Sequence, residues 1–181
     1  MNIRKPTDYT SMFTALDTLM AAQLPQMELY REIGRLVSGR SEKGAAVAAS
    51  EYLQAAYPAA EGFSPRNLRR MRAFYAAYEE SPEIMHLAMR LGWTRNVAIL
   101  EGCGSNKERA WYIRAALRFG WKKAKLLESI KTQAWRNSSL DEQVVSCYTG
   151  EKEITQESES DEEDTLCMPW QYLPQPHGRV R

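Results

Sequence analysis

Across most of the first 136 residues, large apolar side chains recur three or four positions apart, the spacing that gathers them on one face of an α-helix. The run SMFTALDTLMAAQLPQMELYREIGRLVSGR places Leu16, Leu19 and Met20, then Leu29, Ile33, Leu36 and Val37, on such a face. Pro25 should kink or split it. SEKG interrupts the pattern, and AAVAASEYLQAAY reads as an alanine-rich helix stopped by Pro58. After the turn PAAEG, Ser64 and Pro65 form a strong helix start, an N-cap oxygen followed by proline at the first helical position. That helix should run to about Glu80, where Ser81 and Pro82 open the next, through EIMHLAMRL to Gly92. TRNVAILE, KERAWYIRAALRF and KKAKLLESIKTQAW complete the helical series, punctuated by GCGSN and Gly120. No alternating strand pattern appears, so the predicted class is all-α, a compact multi-helix domain.

One helix changes the picture. GFSPRNLRRMRAFYAAY, from Gly62 to Tyr78, carries four arginines between Arg66 and Arg72. At about 100° per residue, Leu68, Met71, Phe74, Tyr75 and Tyr78 face the core, while Arg66, Arg69 and Arg70 share the opposite arc with Ala73, Ala76 and Ala77. Arg72 lies at the border, where its stem can cover apolar surface. A solvated face would carry acids and bases in alternation, yet no acid appears on this helix before Glu79. Arginines at a helix N-terminus also oppose the macrodipole, which asks for another reason for their presence. Helix, turn and basic helix are the parts of a helix-turn-helix, whose second helix reads DNA from near its start. Arg66, Asn67, Arg69 and Arg70 are the candidate DNA-binding residues there, and arginine and asparagine can address base edges or phosphates. Lys122 and Lys123, with Lys125, open the last helix beside Trp121 and form a second basic cluster; a solvated helix start is its plain alternative.

Charge sharpens this reading. The net charge of +1 conceals an uneven distribution. Residues 61–136 hold fifteen Lys/Arg against seven Asp/Glu, whereas residues 137–168 hold one against ten. A basic middle with an acidic tail fits a nucleic-acid binder, and equally a solvated domain with a solubilising tail. The acidic stretch Glu151–Asp164 has almost no large apolar residues, so the tail 137–181 is expected to be largely disordered, and it would compete with DNA for the basic face. The expected organisation is an arm and first helix over 1–25, a helical domain over 26–136 and the tail.

Other chemistry is thin. Cys103, Cys147 and Cys167 are widely spaced with no CxxC, which argues against a disulfide framework and a zinc site. His86 and His177 are far apart, and GCGS lacks the residues of a phosphate loop. No cofactor or metal is expected. The N-terminus lacks a continuous apolar segment and no run is long enough to span a bilayer, so no membrane association and a cytoplasmic location are expected. RLGWTRNVAIL and RFGWKKAKLLE echo one another, matching Gly92 with Gly120, Trp93 with Trp121 and Ile99 with Leu127. Core packing is the expected role of these tryptophans, with base stacking as the alternative.

LYREIGRLV, GFSPRNLRRMRAFYAAY, GWTRNVAILE, ERAWYIRAAL and GWKKAKLLESI occur in the order and approximate spacing of the N-terminal domain of YhcG-like bacterial proteins, which the stretch from Gln26 to Lys131 therefore resembles. In that family the helical domain precedes a PD-(D/E)XK nuclease domain and is regarded as a DNA-binding or targeting module. The resemblance implies a DNA-binding role for Arg66, Asn67, Arg69 and Arg70. A nuclease site of this kind needs carboxylates for a divalent metal and a D/E-x-K pair. No lysine of the chain has an acid two residues before it, so the expectation is a non-enzymatic module whose partner is duplex DNA. The alternatives are an interaction module that docks a separate nuclease or self-associates, and an inactive nuclease remnant.

Overall fold

Pro25 splits the first apolar run rather than kinking it. In the computed structural model, which describes residues 8–42 and 44–136, helix α1 (Thr10–Ala21) ends before Gln23, whose φ of +50° is left-handed, and Pro25 caps the start of α2 (Gln26–Ser38). Every regular element among the described residues is a helix, and none is a strand: α3 (Ala45–Ala56), α4 (Pro65–Tyr78), α5 (Pro82–Met89), α6 (Trp93–Gly102), α7 (Asn106–Phe119) and α8 (Lys123–Lys131) follow, then a 3-10 turn at Ala134–Arg136. The all-α expectation holds. The expectations for the acidic tail lie outside the described residues.

Two clusters of buried side chains meet along α4. Its first turns place Leu68 and Met71 against α1, α2 and α3, with Leu16, Ile33 and Leu53 fully buried there. Its last turns place Phe74 and Tyr78 in the second cluster, with Leu91, Ile99, Tyr112 and Leu126. Trp93 packs against both clusters, edge-on to Tyr30 at 4.9 Å and to Phe74 at 5.8 Å between ring centroids. One helix therefore organises both halves of the core.

The contact between α2 and α4 is close because Gly34 lies in it. A Cβ added at Gly34 would stand 2.3 Å from the carbonyl oxygen of Met71. Asp17 ties α1 to α3 by accepting hydrogen bonds from Tyr52 at 2.7 Å and Tyr57 at 2.9 Å. The Asp17 hydrogen bond and then burial push the Tyr52 phenol up to about 12; at Tyr57, burial and then that hydrogen bond have the same result.

The Gly-Trp echo is repeated punctuation, but not repeated packing. Gly92 and Gly120 both adopt positive φ, +80° and +60°, a region where a side chain would be strained. Trp93 is then the first residue of α6, whereas Trp121 stands two residues before α8. That offset rotates the two helices differently. Ile99 is fully buried, while its counterpart Leu127 is 45% exposed and Leu126 takes the core position instead.

Candidate nucleic-acid interface

The start of α4 is held by the loop before it. Ser64 Oγ accepts the backbone N–H of Asn67, the N-cap contact expected from Ser-Pro. Phe63 is buried, and its carbonyl accepts from Ser50 Oγ at 2.5 Å and Gln54 Nε2 at 3.1 Å. Gly62, at φ +86°, lies so close to Tyr30 that a Cβ there would stand 2.3 Å from the phenol oxygen. The connection from α3 to α4, residues 57–64, is longer than the turn of about three to four residues in a helix-turn-helix.

Asn67 is absorbed into this scaffold. Its amide nitrogen donates to the carbonyl of Gly62 at 2.6 Å, and its amide oxygen accepts from the indole N–H of Trp93 at 3.0 Å. A bidentate contact to adenine needs both of those atoms. Here each of those atoms already holds one partner within the fold.

The three arginines share one face, as the helical wheel requires, and Leu68, Met71, Phe74 and Tyr78 are buried on the other. Arg66 and Arg69 are exposed and Arg70 is half-buried, with Ala73 and Ala76 exposed beside them. Tertiary structure adds an acid that this stretch of sequence lacks. Glu101, from the last turn of α6, receives Arg70 Nε at 2.8 Å and Nη2 at 2.6 Å on one oxygen, and Arg66 approaches the same oxygen at 3.6 Å. The Arg70 hydrogen bond, followed by the charges of Arg70 and Arg66, holds the Glu101 carboxyl below the usual carboxylate range. Arg69 has no ion-pair partner among the described residues.

Glu101 also answers the dipole argument. A carboxylate in the last turn of α6 and arginines in the first turns of α4 each oppose their own helix dipole. Paired across the two helices, they offset one another. Sequence spacing offered no sign of this, because Arg70 and Glu101 are 31 residues apart.

The second basic cluster lies elsewhere. Lys122 caps α8, and Lys122, Lys123 and Lys125 are all exposed, with Lys125 paired to Glu128 at 3.0 Å. Helix α6 packs against both α4 and α8. Near its start Arg95 donates to the Trp121 carbonyl at 3.4 Å; near its end Glu101 stands beside Arg70, and Gly102 packs against Ile130 of α8. About 9 Å of helix axis separates Arg95 from Glu101. The structure thus groups Arg66, Arg69 and Arg70 on one face of α4, while Lys122 and Lys123 stand at the start of α8.

Among the described residues, no group of three His, Cys, Asp or Glu is arranged to hold a metal ion. Cys103 is buried, and burial followed by the charge of Glu108 pushes its thiol up to about 12, away from the thiolate a nucleophile requires. No helix among the described residues is long and apolar enough to cross a membrane.

These features define a helical domain built around one capped basic helix. Residues 15–137 match the DUF1016 N-terminal domain family, and the chain belongs to that family, the N-terminal domain of YhcG-like proteins. The match begins inside α1 and ends just after the 3-10 turn, so it spans nearly the whole described body. Only this N-terminal domain of the family is found in the chain, with no catalytic domain. No curated protein and no solved structure matches it.

Proposed function

We propose that this domain is a non-catalytic DNA-binding module that grips the duplex backbone through the exposed face of α4. The observation that carries this reading is the grouping of Arg66, Arg69 and Arg70 at the start of a capped helix, beside the short side chains of Ala73 and Ala76. Guanidinium groups bind phosphate oxygens in bidentate fashion, and small neighbours let a backbone approach closely. The contacts are to phosphate rather than to base edges, because Asn67 is committed to Gly62 and Trp93. The role does not depend on a helix-turn-helix, only on the open face of α4. Lys122 and Lys123 extend the same electrostatic footprint at the far end of α6. Each phosphate contact contributes roughly 0.9 to the slope of log affinity against log salt. Fluorescence anisotropy with a labelled duplex tests this: an Arg66/Arg69/Arg70→Ala triple variant should lose up to about 2.7 of that slope. Equal affinity and equal slope in the variant would sink the reading.

A second reading has its own observation. Between α7 and α8 lies a cleft of about 390 Å³ lined by Phe119, Trp121, Lys125, Ser129, Thr132 and Ala134. Phe119 stacks on Trp121 at 5.7 Å and is itself exposed, as is Leu127. An exposed aromatic side chain at a cleft, with an exposed leucine elsewhere on α8, suits a protein partner, either a separately encoded nuclease domain of the family or a second copy of the chain. Light scattering across a concentration series, and co-purification with such a nuclease domain, test it. A tight partner lost on Phe119→Ser, together with absent duplex affinity, favours this reading over the first.

A further inference from the structure

Glu101 is an anion seated where the proposed ligand's phosphate would sit. It faces two guanidinium groups, those of Arg70 and Arg66, with one carboxylate, and Arg70 spends two N–H groups on a single Glu101 oxygen. The pair is open to solvent: the side chains of Arg66 and Glu101 are 75% and 50% exposed, and that of Arg70 is 27%. Exposed ion pairs of this kind are weak and exchangeable, whereas a phosphodiester offers oxygens to several arginines at once. We propose that Glu101 is an internal competitor for nucleic-acid phosphate, displaced from Arg70 and Arg66 when a duplex binds, and that it sets the affinity of the α4 face. Arg69, without an ion-pair partner among the described residues, makes the first contact; Arg70 joins once its bond to Glu101 opens.

This inference rests on the duplex reading above and deepens it. Its chemistry is a simple exchange in which one carboxylate leaves two guanidinium groups, one phosphate takes its place, and no covalent bond changes. The exchange predicts that removing the Glu101 charge tightens binding, and that the gain depends on Arg70 and not on Arg69.

The test is a double-mutant cycle in the full chain, read by anisotropy with a labelled duplex over a salt series. Glu101→Gln should bind about two- to fivefold tighter at low salt, the range expected for releasing an exposed ion pair. Arg70→Ala should cost more in the Glu101→Gln background than in the native chain, while the cost of Arg69→Ala should be the same in both. Glu80→Gln makes the same change in net charge at an exposed position with no ion pair among the described residues, and it should give no comparable gain. Thermal unfolding of Glu101→Gln checks that the fold persists. An unchanged or weaker Glu101→Gln, additivity with Arg70→Ala, or an equal gain from Glu80→Gln overturns the proposal. Titrating the Arg66/Arg69/Arg70→Ala variant alongside separates the two failures. If that variant binds like the native chain, the duplex reading fails and takes this inference with it. If it weakens while Glu101→Gln does not tighten, only the competitor role is lost.

Discussion

Helices α4 and α8 both begin with clustered positive charge, yet the protein embeds them very differently. The start of α4 is capped by Ser64, buttressed by buried Phe63 and pinned through Asn67 to Gly62 and Trp93. Its arginines meet an acid from another helix. The start of α8 has Lys122 as its cap without a side-chain cap hydrogen bond, and the helix buries only Leu126 and Ser129. A basic helix start is therefore not one kind of object. On α4 the cations are presented by a rigid platform and partly neutralised; on α8 they ride on a lightly anchored helix.

The largest expected effect probes that difference in anchoring. Gly34→Ala drives a Cβ into the Met71 backbone, which cannot yield as a flexible side chain would, and should destabilise the fold by about 3 kcal/mol in denaturant unfolding. Gly102→Ala, where α6 meets α8, presses on the Ile130 side chain at 2.8 Å and should cost only about 1 kcal/mol. Equal costs would mean that α4 and α8 are anchored alike.

Duplex affinity ranks the two basic clusters. On the proposed reading, Lys122/Lys123→Ala should lower the salt slope by at most about 1.8, less than the α4 triple variant does. A larger loss from the lysines would move the main interface to α8.

Asn67→Ala separates scaffold from reader. Removing two side-chain hydrogen bonds, one to the Gly62 carbonyl and one from the Trp93 indole, should lower stability by about 1–2 kcal/mol. Lys123→Ala should stay within about 0.5 kcal/mol of the native chain. If Asn67→Ala leaves stability untouched but changes duplex sequence preference, Asn67 is a base reader after all.

The smallest effect is electrostatic. Glu101 has a folded-state value below its unfolded one, because of the Arg70 hydrogen bond and then the charges of Arg70 and Arg66. Its stabilising contribution is therefore complete above the ordinary carboxylate range and is lost as pH falls through the lowered value. For so exposed a pair, solvent screening leaves roughly 0.2–0.5 kcal/mol. Unfolding curves at neutral and acidic pH should show that component in the native chain and not in Glu101→Gln.

The residues that carry the family resemblance turn out to build the fold. Gly62 supplies a left-handed turn against Tyr30, Phe63 plugs the core, and Ser64 caps the helix. Gly34 admits α4, and Trp93 joins the two clusters. Asn96, fully buried, donates to the carbonyls of Ala88 and Gly92. Such a motif identifies the architecture well and says little about a ligand, since these positions in it have a packing or hydrogen-bonding task. The exposed arginines are the part that packing does not explain.

Sequence alone determined the all-helical class, most helix ends, the buried face of α4 and its cap. Those features depend on periodicity and on chemistry within a few residues, such as Ser64 followed by Pro65. Two things were decided only in the tertiary structure: Glu101 against Arg70, and the Trp93 indole on Asn67. They join residues 31 and 26 positions apart, and helical spacing carries no information over that range. Side-chain polarity specifies which groups need partners; the packing of α4, α6 and α8 decides which partners they meet.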